Sequence, residues 1–170
     1  MTRIYANPGF ARRMNISSAV TLFAILFGFW ELWSALNAGP EGAGYGFLFA
    51  ALFIGGGIYG MRQILGDGAD MVTALDVEEA TGRATVSLWR PFAPKRLEGS
   101  LDSLSEWRPY AKVARNFRTP MLLADYPAHP RPLQFEIGRG IALTEQFRAL
   151  APEALASLEE SASAQASKLT

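Results

Sequence analysis

The chain has 170 residues, and its 16 basic and 16 acidic side chains cancel at neutral pH; it contains no cysteine and one histidine. A neutral balance without a basic block argues against nucleic acid as a partner, and the missing thiols exclude disulfides, thiolate metal sites and cysteine nucleophiles. The neutrality is an average of an apolar first third and a charged remainder.

Residues 1–15 (MTRIYANPGFARRMN) read as a basic cytoplasmic lead broken at Pro8-Gly9. Arg3, Arg12 and Arg13, with Tyr5 and Phe10, suit the headgroup region of an anionic leaflet, and an unstructured tail is the alternative. Residues 16–65 carry two apolar runs, 16–36 and 45–65, of about 20 residues each, enough at ~1.5 Å per residue to cross a ~30 Å hydrocarbon core. Lipid offers no partner for backbone amides, so these runs are expected to form a transmembrane helical hairpin. Its turn, residues 37–44, is rich in glycine and carries Pro40. Basic residues flank the outer ends of the hairpin (Arg3, Arg12, Arg13, Arg62) and none lies in the turn, which puts both termini in the cytoplasm. A cleaved secretory signal fits less well, because the first run is too long and lacks a small-x-small cleavage site.

Within the first run, Trp30 and Trp33 fall near the outer interface. Glu31 is an intramembrane carboxylate roughly 8 Å below the outer end, a candidate polar contact to interfacial water, to the second helix or to a partner subunit. A proton relay would need a second intramembrane ionisable group, which the runs do not supply. In the second run, Gly56 and Gly60 form a G-x-x-x-G pair that lets another helix approach closely, either the first helix of the same hairpin or a partner membrane protein.

Residues 66–70 form a short linker, so the following domain, residues 71–160, is held near the membrane surface. There the period changes to two. Residues 72–77 and 83–89 read as strands of a hairpin around a turn at 78–82. Residues 91–95 make a Pro-punctuated loop, and 97–107 is ambiguous. Residues 109–118 fit either a basic amphipathic helix or a strand turning near Asn116, and the strand is favoured because strands flank it on both sides. Arg108, Lys112, Arg115 and Arg118 make this stretch a candidate lipid or partner surface, a solvated charged face being the plainer reading. His129 lies in a Pro-rich loop with no second histidine to form a metal cluster or triad. Residues 133–137 alternate as a strand, a capped helix starts at Thr144 and is kinked or restarted at Pro152, and residues 161–170 read as a disordered tail.

The expectation is therefore an α+β membrane protein, a two-helix transmembrane hairpin followed by a small antiparallel β domain with a C-terminal helix. The hairpin at 72–89, the strand at 133–137 and the helix at 144–150 together resemble the pleckstrin-homology-like (PH-like) domains that follow transmembrane helices in bacterial membrane proteins. That resemblance implies a non-catalytic binding or scaffolding role and assigns no ligand residue. The expected function is a non-enzymatic accessory, assembly or scaffolding protein of the bacterial inner membrane, with the bilayer and a membrane protein or second copy as partners. The alternative is an anionic-lipid-binding or sensing module. A transporter or membrane enzyme has the least support, and neither a cofactor nor a metal site is expected.

Overall fold

The structure is a computed structural model that describes residues 1–114, 117–138 and 141–166. It divides into two compact units: residues 12–68, and residues 1–11 together with the chain from Ala69 onward.

The first unit is built from α1 (Pro8–Asn37) and α2 (Pro40–Gly68), both long and apolar enough to cross a membrane. Each starts on a proline, whose fixed φ and missing N–H suit the first helical position. The helices run antiparallel and meet where side chains are smallest. A Cβ built on Gly28 would lie 2.7 Å from Ile54 Cγ1, one on Gly57 2.5 Å from Ile25 Cγ1, and one on Gly46 2.7 Å from the Ala35 Cβ. Phe27 meets Phe53 edge-on at 5.0 Å. The hydroxyls of Ser18 and Thr21 donate to carbonyls one turn back, Met14 O and Ser17 O, so the helices satisfy these groups internally. The outward faces carry exposed Phe23, Trp30, Trp33, Leu52 and Tyr59.

The second unit packs two antiparallel sheets. One has five strands in the order β4-β3-β2-β1-β8: β1 (Thr2–Ala6), β2 (Val72–Glu78), β3 (Arg83–Leu88), β4 (Lys95–Ser100) and β8 (Ala142–Leu143). The other has three, β5 (Ser105–Ala114), β6 (Phe117–Asp125) and β7 (Leu133–Glu136), in sequence order. The β2–β3 turn closes through Gly82, at φ +66°, with Gly82 N donating to Glu78 O at 2.9 Å; a side chain there would be strained. Pro109 is tolerated in β5 because that strand is a sheet edge. Thr144 caps α3 (Glu145–Leu150) by accepting from Phe147 N, and Pro152 opens α4 (Pro152–Ala166). Tyr5, Trp107, Phe135 and Phe147 stack at 5.2–5.7 Å in the core, alongside Leu75, Val86 and Leu122.

Two helices followed by antiparallel sheets and a C-terminal helix agree with the sequence reading, and 109–118 is strand where it is described. The reading of residues 1–15 as a membrane-surface lead is corrected. Residues 2–6 form β1, paired to β2 on one side and β8 on the other. Arg3 is bound to Asp76 at 2.8 Å instead of facing lipid, and Ile4 and Tyr5 are fully buried. The ladder shifts register between Arg3 and Tyr5, so two consecutive side chains are buried and the alternation that marks a strand is lost. Residues 66–68 belong to α2 and not to a linker, and α4 runs to Ala166, beyond the expected start of the tail; residues 167–170 lie outside the described residues.

Deleting residues 2–6 should therefore unfold the β domain. Limited proteolysis of the detergent-solubilised full chain is expected to show loss of the protected fragment spanning β2 to α4, whereas a surface lead would be removable without effect.

Candidate functional site

The hairpin is inserted between two strands that are neighbours in the sheet. The chain leaves β1 at Ala6 and returns to β2 at Val72, and both junctions are tied down. At the departure, Asn7 is almost fully buried; its N–H donates to Thr73 O at 2.9 Å and its Oδ1 accepts from Phe10 N at 3.0 Å, capping α1. Asn7 Nδ2 donates to Glu136 Oε2 at 2.9 Å, and the Tyr5 hydroxyl donates to Glu136 O at 3.0 Å.

At the return, Arg90 Nη1 donates to Ala69 O at 2.6 Å, Gln134 N to Asp70 O at 2.8 Å and Trp89 N to Met71 O at 2.9 Å. The Asp70 side chain, 6% exposed, takes His129 Nε2 at 2.8 Å and Arg131 Nη2 at 3.1 Å on one oxygen. A carboxylate this dry is costly unless paired, and here a guanidinium and an imidazole N–H share it. The geometry fits the tautomer with the proton on Nε2, leaving Nδ1 a buried acceptor without a partner. Departure and return thus converge on the same short strand, β7, through Glu136 and Gln134.

Beside the return, Ser105, Asp125, Tyr126, His129 and Arg131 border a cavity of about 290 Å³ together with three loop prolines. Its polar groups are largely spoken for: Asp125 is bound by Arg108 at 2.7 Å, and Asp70 holds both His129 and Arg131. Burial pushes the Tyr126 hydroxyl above the ordinary tyrosine range, with the charge of Glu98 adding to the effect. Burial pushes the Tyr5 hydroxyl well above that range, the nearby Glu136 charge adds to it, and the hydrogen bonds to Asn7 and Glu136 oppose it in part. No group of three His, Asp or Glu side chains placed to hold a metal occurs among the described residues.

The residues singled out from the sequence are not brought together into one surface. Arg108 is paired with Asp125 and lies 4.0 Å from Glu106, so it is held by carboxylates of the domain. Lys112 is half-buried on β5. Arg115 and the side chain of Arg118 lie outside the described residues. Gly56 and Gly60 do not act as a pair inside the hairpin: a Cβ on Gly60 would meet Thr21 at 3.5 Å, while nothing lies within 4 Å of one on Gly56. The close approach belongs to Gly57 and Gly46, which follow the 46–50–53–57–60 face of α2. Gly56 instead borders a shallow groove of about 230 Å³ with Val20, Ala24 and Leu52. Glu31 is half-buried, and its carboxylate makes no hydrogen bond or ion pair among the described residues.

The junction residues Asn7, Asp70, Arg90, His129, Arg131 and Glu136 were not legible as a set, because they come from five separate stretches. The one local signal was Asn7-Pro8, a capping residue followed by proline at the first helical position. The chain matches no protein-family model, no curated protein and no solved structure at a significant level of similarity.

Asp70→Ala leaves His129 buried without its acceptor while Arg131 turns to solvent. A loss of about 2 kcal/mol, the cost of an unpaired buried donor, is expected in denaturant unfolding of the full chain in detergent, with faster amide exchange at Met71 and Gln134. For Tyr5 the sign follows from the raised folded-state pKa. The stability it contributes is complete below the unfolded value near pH 10 and is lost as pH rises beyond it towards the folded value. The wild-type domain should lose stability with a steeper alkaline slope than Tyr5→Phe, measured by melting temperature from pH 8 to 11.

Proposed function

We propose that the protein is a non-enzymatic integral membrane scaffold. In this reading α1 and α2 cross the cytoplasmic membrane, both chain ends lie on the cytoplasmic side, and the two-sheet domain, PH-like in layout, is a docking platform for a larger membrane complex. The observation that carries it is the insertion of the hairpin between β1 and β2, with both junctions bonded to β7. Both points at which the chain passes between the helices and the domain, Asn7 and Ala69–Met71, are hydrogen-bonded within the domain. Attachment at two anchored points favours a platform over a loosely tethered module. Exposed aromatic and aliphatic side chains along both helices, Trp33 and Phe23 at 69% among them, support insertion in lipid. The basic residues at the hairpin's open end and their absence from its turn support the orientation.

Purification through a tag at Thr170 in mild detergent, followed by mass spectrometry, is expected to return a membrane protein in stoichiometric amount. The tag should be accessible in inverted vesicles and shielded in intact cells. Recovery of this chain alone would count against the scaffold role, and a tag exposed on intact cells would overturn the orientation.

A further inference from the structure

Between β3 and β4 the chain reads Trp89-Arg90-Pro91-Phe92-Ala93-Pro94. Phe92 sits at φ +68°, and Ala93 N donates to Pro91 O at 2.9 Å across it. This is a γ-turn of the rarer, strained hand, with a bulky aromatic where glycine would be at ease. Folding does not call for the ring, since Phe92 is 74% exposed and contributes nothing to the core. A strained backbone that holds a large apolar side chain in solvent, when glycine would relieve it, points to a use outside the fold.

The surroundings indicate that use. Arg90, Lys95 and Arg96 flank the turn, and no acidic residue occurs from Ala80 to Leu97. Lys95 and Arg96 are exposed, whereas Arg90 is committed to Ala69 O at 2.6 Å. That bond, with Trp89 N on Met71 O, fixes the base of the loop beside the residues at which the chain comes back from α2. Ala69 directly follows the last residue of α2, and Leu65, the last large apolar residue of that helix, lies only ~6 Å back along it at 1.5 Å per residue. Phe92 is two residues from Arg90, at most ~7 Å of extended chain. The base of the loop is therefore held beside Ala69, the residue with which the domain resumes after α2.

We propose that Phe92 is an interfacial membrane anchor. Its ring enters the boundary between headgroups and acyl chains of the bilayer that α1 and α2 cross, while Lys95 and Arg96 bind anionic headgroups. The pattern is that of other interfacial elements, an aromatic at the boundary with cations beside it. The inference rests on the membrane-spanning reading above and adds a second, lateral contact that orients the domain on the surface.

The cysteine-free chain permits a direct test. The full protein carrying Ala93→Cys labelled with a nitrobenzoxadiazole dye is placed in nanodiscs of phosphatidylcholine, with or without phosphatidylglycerol, and quenched by doxyl-labelled lipid. Phe53→Cys on α2 serves as the span reference. Quenching at both positions, stronger at 93 in anionic discs and reduced by Lys95→Glu with Arg96→Glu, is the expected result. Quenching at 53 but not at 93 overturns the anchor and leaves the spanning reading intact. Quenching at neither position overturns both. Equal quenching at 93 in both lipids, unaffected by the charge reversals, overturns the part assigned to Lys95 and Arg96. Phe92→Gly supplies a second readout: it should raise the melting temperature in detergent by removing the strain and abolish quenching at 93. A less stable Phe92→Gly, or one still fully quenched, overturns the proposal because the ring would then serve the fold.

Discussion

The hydrogen bonds from β7 to both ends of the helical excursion are the constraint on which the rest depends. Holding two chain ends together across the stretch from Pro8 to Gly68 carries an entropic cost that grows slowly with length. It is offset here by pairing β1 with β2 and by fastening each end to a third strand in the other sheet. Glu136 receives the departing chain through Asn7 and Tyr5, and Gln134 receives the returning chain at Asp70. The two sheets are thereby locked to each other at the point where the helices join. Loosening β7 would act on both junctions together, and sheet packing and helix attachment cannot be varied independently.

The same economy governs the charges. A chain with no net charge gains little from long-range fields, and its arginines are instead used locally, Arg3 on Asp76, Arg108 on Asp125 and Arg131 on Asp70. Two of these pairs sit in solvent and contribute modestly. The third is different because its carboxylate is buried, so it specifies geometry: Asp70 is comfortable only where His129 and Arg131 meet it, and the loop carrying them is stiffened by Pro127, Pro130 and Pro132. Tight packing in the hairpin follows a parallel logic with glycine and alanine in place of ion pairs.

Periodicity made the long elements legible. Helices of the length of α1 and α2 declare themselves by uninterrupted apolar composition, β3 and β7 by alternation, and α3 by Thr144 followed by an acidic first turn. The strand β1 did not, because a register shift buries Ile4 and Tyr5 in succession and because its partners lie more than sixty residues away, beyond any local pattern. The candidate site was hidden for the same reason. Asp70 reads as a linker residue and His129 as a loop residue until the topology brings them to 2.8 Å. The basic cluster at 108–118 was visible as composition, but composition does not reveal that Arg108 is already engaged by Asp125. Phe92 escaped notice because backbone strain has no signature in residue type other than the absence of glycine.

The placement of β1 ahead of the helices has a consequence for biogenesis. This strand is made first, yet its partners β2 and β8 follow both helices, so the sheet can close only after the hairpin has been synthesised. If the helices span a bilayer as proposed, β1 and β2 share a compartment when both cross or neither does, and are separated when only one crosses. Should one helix cross without the other, β1 and β2 lie on opposite sides and the sheet lacks the strand between β2 and β8, leaving a domain open to proteolysis. On the proposed spanning arrangement, a closed sheet reports that the two helices were threaded together, a form of quality control written into the order of the strands.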